Sequence, residues 1–298
     1  MAYSLMRESR VVVVYEGRAY GFDALANYSA ETSFQEYKTL RRTIHNRTNY
    51  SYSKITAQDP TSISLSINFA QGNIESNFFD WLGFSREGSS LSLPKSSSNI
   101  EPIMVDMYIL TQGSCMLFEY CYVANIDFIL ENSVPVLNIG IESGKFTEVP
   151  YPRDSYSLDQ GSVMPFSPLR ISSNGRELPG IISASISFQQ QCTWRENRGI
   201  FNIDNIYNNS RAVVNELNAS ALLAFYYIKP RDPESIIALD SGKSLDITIQ
   251  NNNLSVVFPQ ARISKRLSMT DVFRVEYDII STEFSDPVTI NFLGEDNK

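Results

Sequence analysis

One short pattern occurs twice in this chain, far apart. Ser29-Ala30-Glu31-Thr32-Ser33-Phe34-Gln35 is echoed by Ser183-Ala184-Ser185-Ile186-Ser187-Phe188-Gln189, and Thr39-Leu40-Arg41 by Thr193-Trp194-Arg195. Both echoes stand 154 residues apart (183 − 29 and 193 − 39). Solenoid units repeat every ~20–50 residues, so a period this long points to a duplicated domain. A chain of 298 residues has room for two domains, and 43% hydrophobic content supplies cores for both. Pro150 to Pro168 carries four prolines with Ser, Asp and Gly, which reads as a connector. The expected organisation is a first domain over 1–150, a linker over 151–168 and a second domain over 169–298.

Both expected domains read as strands. Val11-Val12-Val13-Val14 is a β-branched run suited to a buried strand. From Pro60 to Ala70 the pattern has a period of two: Ser62, Ser64, Ser66 and Asn68 face one way, and Ile63, Leu65, Ile67 and Phe69 the other. At the same shift, Glu216, Asn218 and Ser220 occupy the matching polar face. Strands are predicted over 106–110, 115–127 and 134–149, with partners over 245–250, 254–264 and 272–284. Gln112-Gly113-Ser114 and Asn251-Asn252-Asn253 serve as matching hairpin turns. In this later region the shift falls to 138, as if the second half lacked the Ser-rich loop expected over 85–100. A short helix is predicted over 73–84, capped by Asn73 and packed by Phe78, Phe79, Trp81 and Leu82. A second is predicted over 231–239, and a last strand over 288–293. The fold class is therefore mainly β (α+β). Each of two tandem domains is a β-sandwich or partial barrel with a flanking short helix and a long loop.

Those loops follow the repeated pattern in both halves and are rich in Asn and Arg. A long loop inside a compact domain is usually functional, and two of similar length suggest interaction arms. The first offers Arg41, Arg42, His45, Arg47, Tyr50, Tyr52 and Lys54. The second offers Arg195, Arg198, Phe201, Ile206 and Arg211. An acidic neighbour of the same kind suits these arms better than single-stranded nucleic acid. Either side of Pro150 the chain holds 11 basic against 16 acidic residues, then 14 against 17. Neither half has the clustered cations that tight binding to phosphates requires.

Enzyme chemistry finds little support. His45 is the only histidine and has no Cys or His at ligand spacing. No nucleophile elbow, phosphate-binding loop or dinucleotide fingerprint is present. No cofactor or metal is expected. Cys115, Cys121 and Cys192 read as reduced, packed thiols. No signal peptide or membrane span is legible in the sequence. The expectation is a soluble protein made in the cytoplasm.

The tandem β-rich modules, each with a long arm and a helix beside its sheet, resemble phage tail tube proteins. The likeness is nearest to T-five-like siphophage tube proteins, which carry two tube domains in one chain. Ser4-Leu5-Met6-Arg7-Glu8-Ser9-Arg10-Val11, Met107-Tyr108-Ile109-Leu110-Thr111 and the stretch from Asn125-Ile126-Asp127 to Gly140 carry the resemblance. The additional immunoglobulin-like domain of that family has no counterpart before Lys298.

The resemblance implies homotrimeric, pseudo-hexameric rings around an inner β-barrel, stacked into a hollow conduit for DNA ejection. Its implied partners are other copies of the chain, a tape measure protein and passing DNA in the lumen, and tail tip and terminator proteins. Its place is the virion tail, after synthesis in the host cytoplasm. Short polar and acidic side chains suit a lumen that must not hold phosphate. The candidate lumen-facing residues are Ser62, Ser64, Ser66, Asp127, Glu142, Glu216, Asn218, Ser220, Glu276 and Asp278. Alternative readings are a carbohydrate-binding baseplate or receptor-binding β-sandwich, a tube initiator or terminator, and, least supported, a hydrolase.

Overall fold

The computed structural model describes residues 10–22, 29–39, 52–68, 70–71, 75–93, 101–111, 114–131, 135–150, 162–163, 167–195, 210–226, 244–269, 273–281 and 287–293. The valine run forms β1 (Arg10–Tyr15), which returns as β2 (Arg18–Phe22). Glu16 and Gly17, at φ 48° and 76°, give the left-handed two-residue turn that matches strand twist. Next come β3 (Ser29–Glu31), β4 (Phe34–Thr39), β5 (Tyr52–Gln58), β6 (Thr61–Asn68) and β7 (Ala70–Gln71). β4 and β5 form a separate two-stranded ribbon, whereas β3 pairs with β6.

The first predicted helix is α1 (Asn77–Leu82). It starts after Ser76, and Asn73 lies outside the described residues. Phe78, Phe79, Trp81 and Leu82 are all buried, and left-handed Gly83 stops the helix. The helix predicted over 231–239 lies outside the described residues.

The loop expected from Ser85 begins instead as a hairpin, β8 (Ser85–Glu87) and β9 (Ser90–Ser92). Gly88, at φ 62°, makes its turn. Leu91 is the reason: it points into the core, while Arg86 pairs with Asp80 at 2.8 Å. A Ser-rich composition hid a strand that buries one leucine.

The chain then forms β10 (Val105–Leu110), β11 (Cys115–Leu130) and β12 (Val136–Val149), close to the predicted ranges. Within the expected linker, β13 (Ser162–Val163) pairs with β7. β14 (Arg170–Ser173), β15 (Arg176–Glu177), β16 (Ile181–Arg195) and β17 (Arg211–Tyr226) follow. The last strands are β18 (Ser244–Gln250), β19 (Leu254–Met269), β20 (Phe273–Ile280) and β21 (Thr289–Phe292).

Two sets of strands share one order of neighbours. The first runs β2-β1-β10-β11-β12-β6-β3, and the second β15-β14-β18-β19-β20-β17-β16. Irregular details recur at matching places. Asn174 and Gly175 repeat the turn of Glu16 and Gly17, at φ 47° and 77°. Tyr120 (φ 57°) donates its backbone N–H to Asp106 Oδ1 at 3.2 Å, and Gln260 (φ 47°) donates to Asp246 Oδ1 at 2.8 Å. Both lie where the strand register shifts. These matches stand 158 and 140 residues apart (174 − 16 and 260 − 120), while register sets Asn138 of β12 against Glu276 of β20 at the shift of 138 read from the sequence. The shift changes along the chain because bulges and turns add residues locally.

The sets join where β11 runs antiparallel to β16, from Asn125 opposite Gln189 to Leu130 opposite Ala184. One core spans both, from Val11 to Ile290. At its centre Phe188 of β16 meets Phe79, Phe84 and Phe128 at ring-centroid distances of 6.0, 5.1 and 6.3 Å.

Candidate functional site

The junction produces a continuous run, β3-β6-β12-β11-β16-β17-β20-β19. Between its bulges at Val123–Asn125 and Gln191–Cys192 the two sides alternate. Leu65, Ile139, Ile126, Phe188 and Ala219 lie on the core side, each no more than 1% exposed. On the other face one row crosses from Ser66 through Asn138, Asp127, Ser187, Ser220 and Ile280 to Arg262. Ser62, Ser64, Glu142, Glu216, Asn218, Glu276 and Asp278 stand on this same face by register. All the residues proposed from sequence for a wet surface are thus gathered on one side of one sheet. Ser62, Ser64 and Glu216 are exposed, and the rest are half-buried.

A concavity of about 420 Å³ opens on this face, lined by Glu31, Ser62, Ser64, Asn125, Asp127 and Glu142 among others. Gly140 makes room for it. A Cβ there would fall 1.9 Å from Asn125 Oδ1, so the missing side chain lets Asn125 lie across β12. Asn125 Nδ2 donates to Asp127, and Ser66 Oγ donates to Asn138 Oδ1 at 2.7 Å.

Glu142 is tied rather than free. Tyr122 donates its hydroxyl to Glu142 Oε2 at 2.6 Å, and Trp194 Nε1 donates to the same oxygen at 2.9 Å. The two rings pack at 5.3 Å. Burial, and then the bond to Glu142, push the Tyr122 phenol far up. Burial likewise pushes the Cys192 thiol up to about 12, helped by the charge on Glu142. This group locks the β16 end of one strand set onto β11 and β12 of the other.

Sequence reasoning missed the cations of this face. Arg262, Arg266 and Arg274 alternate with Asp278 and Glu276 across β19 and β20, and Arg266 pairs with Asp278 at 2.8 Å. Arg262, Ser264 and Arg266 stand two apart in the sequence, but Lys265 among them hides the alternation. The face also exposes Ile129, Leu222, Ile280 and Tyr226 beside its polar rows.

Of the proposed arms, Arg41, Arg42, His45, Arg47, Tyr50, Arg198, Phe201 and Ile206 lie outside the described residues. Tyr52 and Lys54 belong to β5. Arg195 and Arg211 lie opposite each other where β16 and β17 end. Arg211 binds Glu101 through Nε at 3.1 Å and holds that carboxyl below its usual range. The first proposed arm lies between the paired strands β4 and β5, and the second between β16 and β17. At the root of the first, Phe34 and Ile55 are exposed.

Among the described residues, no three His, Cys, Asp or Glu side chains are grouped to hold a metal ion. Cys115, Cys121 and Cys192 are free thiols. No described helix is long and apolar enough to cross a membrane.

The candidate site is thus a broad polar face of mixed charge. The sequence matches the Bacteriophage Baseplate Tube Protein Family over residues 1–297. It is 60% identical over 296 residues to the baseplate tube protein p140 of Escherichia phage T5, covering 99% of each chain. The match supports a structural role in the phage tail tube and a place in the virion tail, and does not single out the major tail protein. This chain belongs to the bacteriophage baseplate tube protein family.

Proposed function

We propose that this protein is a ring-forming subunit of the tail tube at its baseplate end. Three chains, each with tandem modules over 1–150 and 169–298 joined by 151–168, enclose a pore through which the genome leaves. The observation that carries this reading is the β11–β16 junction. Within one chain, β11 of the first strand set takes up β16 of the second. The counterparts of these two strands are β19 and β3. β19 pairs with β20 out to Met269, but among the described residues neither its opposite side beyond Arg262 nor the outer edge of β3 has a strand partner. Open edges invite pairing, and an edge at each end of one subunit makes a head-to-tail contact that closes into a ring. The recurring turns and bulges support descent of both sets from one ancestral unit. The polar face lines the pore, where its carboxylates and hydroxyls let phosphate slide. The arms reach neighbouring subunits or the next ring. Tape measure, tail tip and terminator proteins are the expected axial partners. Electron microscopy and native mass measurement of the purified protein, with localisation in tail particles, test the reading. Trimeric rings with a central pore are expected. A compact monomer that borders no pore in assembled tails overturns the reading.

A further inference from the structure

The internal junction specifies how two copies meet. Tyr120 and Gln260 occupy matching bulges, so Tyr122 matches Arg262, two residues further on. Crossing the first set from Tyr122 leads to Glu142, Ser62 and Glu31. Crossing the second from Arg262 leads to Ile280, Ser220 and Ser187. Glu31 therefore matches Ser187. Four residues back from Glu142 and Ile280 stand Asn138 and Glu276, opposite Asp127 and Arg266. Arg266 therefore matches Asp127. Asp127 and Ser187 face each other across the internal junction.

We infer that β3 of one copy adds antiparallel to the β19 edge of the next, in the register that sets Glu31 opposite Arg266 and Ser29 opposite Ser268. This deepens the ring reading above and rests on it. The charges agree without having been used to find the register. Where the internal junction has Asp127 facing a serine, the seam between copies brings a carboxylate to a guanidinium. Both side chains are exposed, with Arg266 at 71%. Glu276, across from Arg266 on β20, and Asp278, already bonded to it, make this edge a mixed-charge strip. An incoming β3 carrying Glu31 supplies the next carboxylate in that alternation. Residues directly opposite in an antiparallel pair hold their Cβ atoms about 4.5–5.5 Å apart, close enough for an ion pair and near the range a disulfide bridges.

The test uses the full chain with E31C/R266C, assembled, oxidised and run without reductant beside each single variant. The expected result is covalently linked dimers and trimers from the double variant alone, with the ladder ending at three. E31R and R266E are each expected to lower the assembled fraction roughly tenfold, because a like-charge pair recurs at every seam of the ring. E31R/R266E is expected to recover assembly to within about threefold of the wild type, since it restores an opposite-charge pair. Pore-bearing rings with neither crosslink nor rescue overturn this register and leave the ring reading standing. A disulfide confined to one chain also overturns the register, because β3 then closes on its own β19. Failure of the wild type to form any ring overturns both.

Discussion

Replacing Phe188 with alanine removes the ring that β16 inserts between Phe79 and Phe84 of the α1 region and Phe128 of β11. Phe188 is 0% exposed, so the whole ring is lost from a closed interior. Phe→Ala at such a site costs about 3–5 kcal/mol, from lost transfer energy plus the cavity left behind. The edge-on contacts with Phe79 and Phe84 place the expected loss in the upper half of that range. With about 2.1 cal/mol/K of unfolding entropy per residue, a chain this long loses roughly 6–8 °C in Tm. Scanning calorimetry of the unassembled protein reads the shift directly. The ring comes from one strand set and its neighbours from the other, so the entire transition moves as one. A drop below about 2 °C refutes the packing argument. A scan in which one of two transitions moves while the other stays refutes the shared core.

Tyr122→Phe removes one of two donors to the Glu142 carboxylate and is expected to cost about 1.5–3 kcal/mol, read as a lower urea midpoint with unchanged slope. Asp59 accepts from Ser33 Oγ at 2.6 Å and Gln35 Nε2 at 2.7 Å, and these bonds, Ser33 first, lower its pKa. Its folded pKa lies below the unfolded one, so its stabilisation is present above the unfolded value and is lost as pH falls through the folded one. Asp59→Asn should therefore fall below the wild type in melting temperature at pH 7, with the gap closing in acid; a gap that widens in acid counts against the assignment. Burial pushes Cys121 up to about 12, and Cys192 to the same level, so a thiol reagent at pH 8 should label neither quickly in the folded protein and both after denaturation. Deleting residues 44–56 is expected to leave soluble protein that does not stack into tubes, as seen by electron microscopy; long tubes from that deletion count against the arms as inter-ring contacts.

Much of the candidate face was legible before any fold was known. Ser62, Ser64 and Ser66 alternate with Ile63, Leu65 and Ile67, and a strand that buries one side must wet the other. Asp127, Glu216, Asn218, Ser220 and Asp278 fall on the same side for the same local reason. The β-branched run at Val11 marked a buried strand, and Gly83 supplies the stop where the helix pattern ends. Tertiary structure decided the rest. Glu142 looks like a free surface charge until Trp194, 52 positions away, donates to it. Ser85–Ser92 looks like a loop until Ser90–Ser92 pairs with β21 near the other end of the chain. The shift of 138 read from side chains holds between β12 and β20, but its local changes at the bulges show only in the hydrogen-bonded rows. Alternation is local, so composition along one strand settles which side is buried. The identity and register of a strand's neighbour depend on closure over long stretches of chain, so the β11–β16 junction, and with it the opposition of Glu31 to Arg266, emerged only from the folded chain.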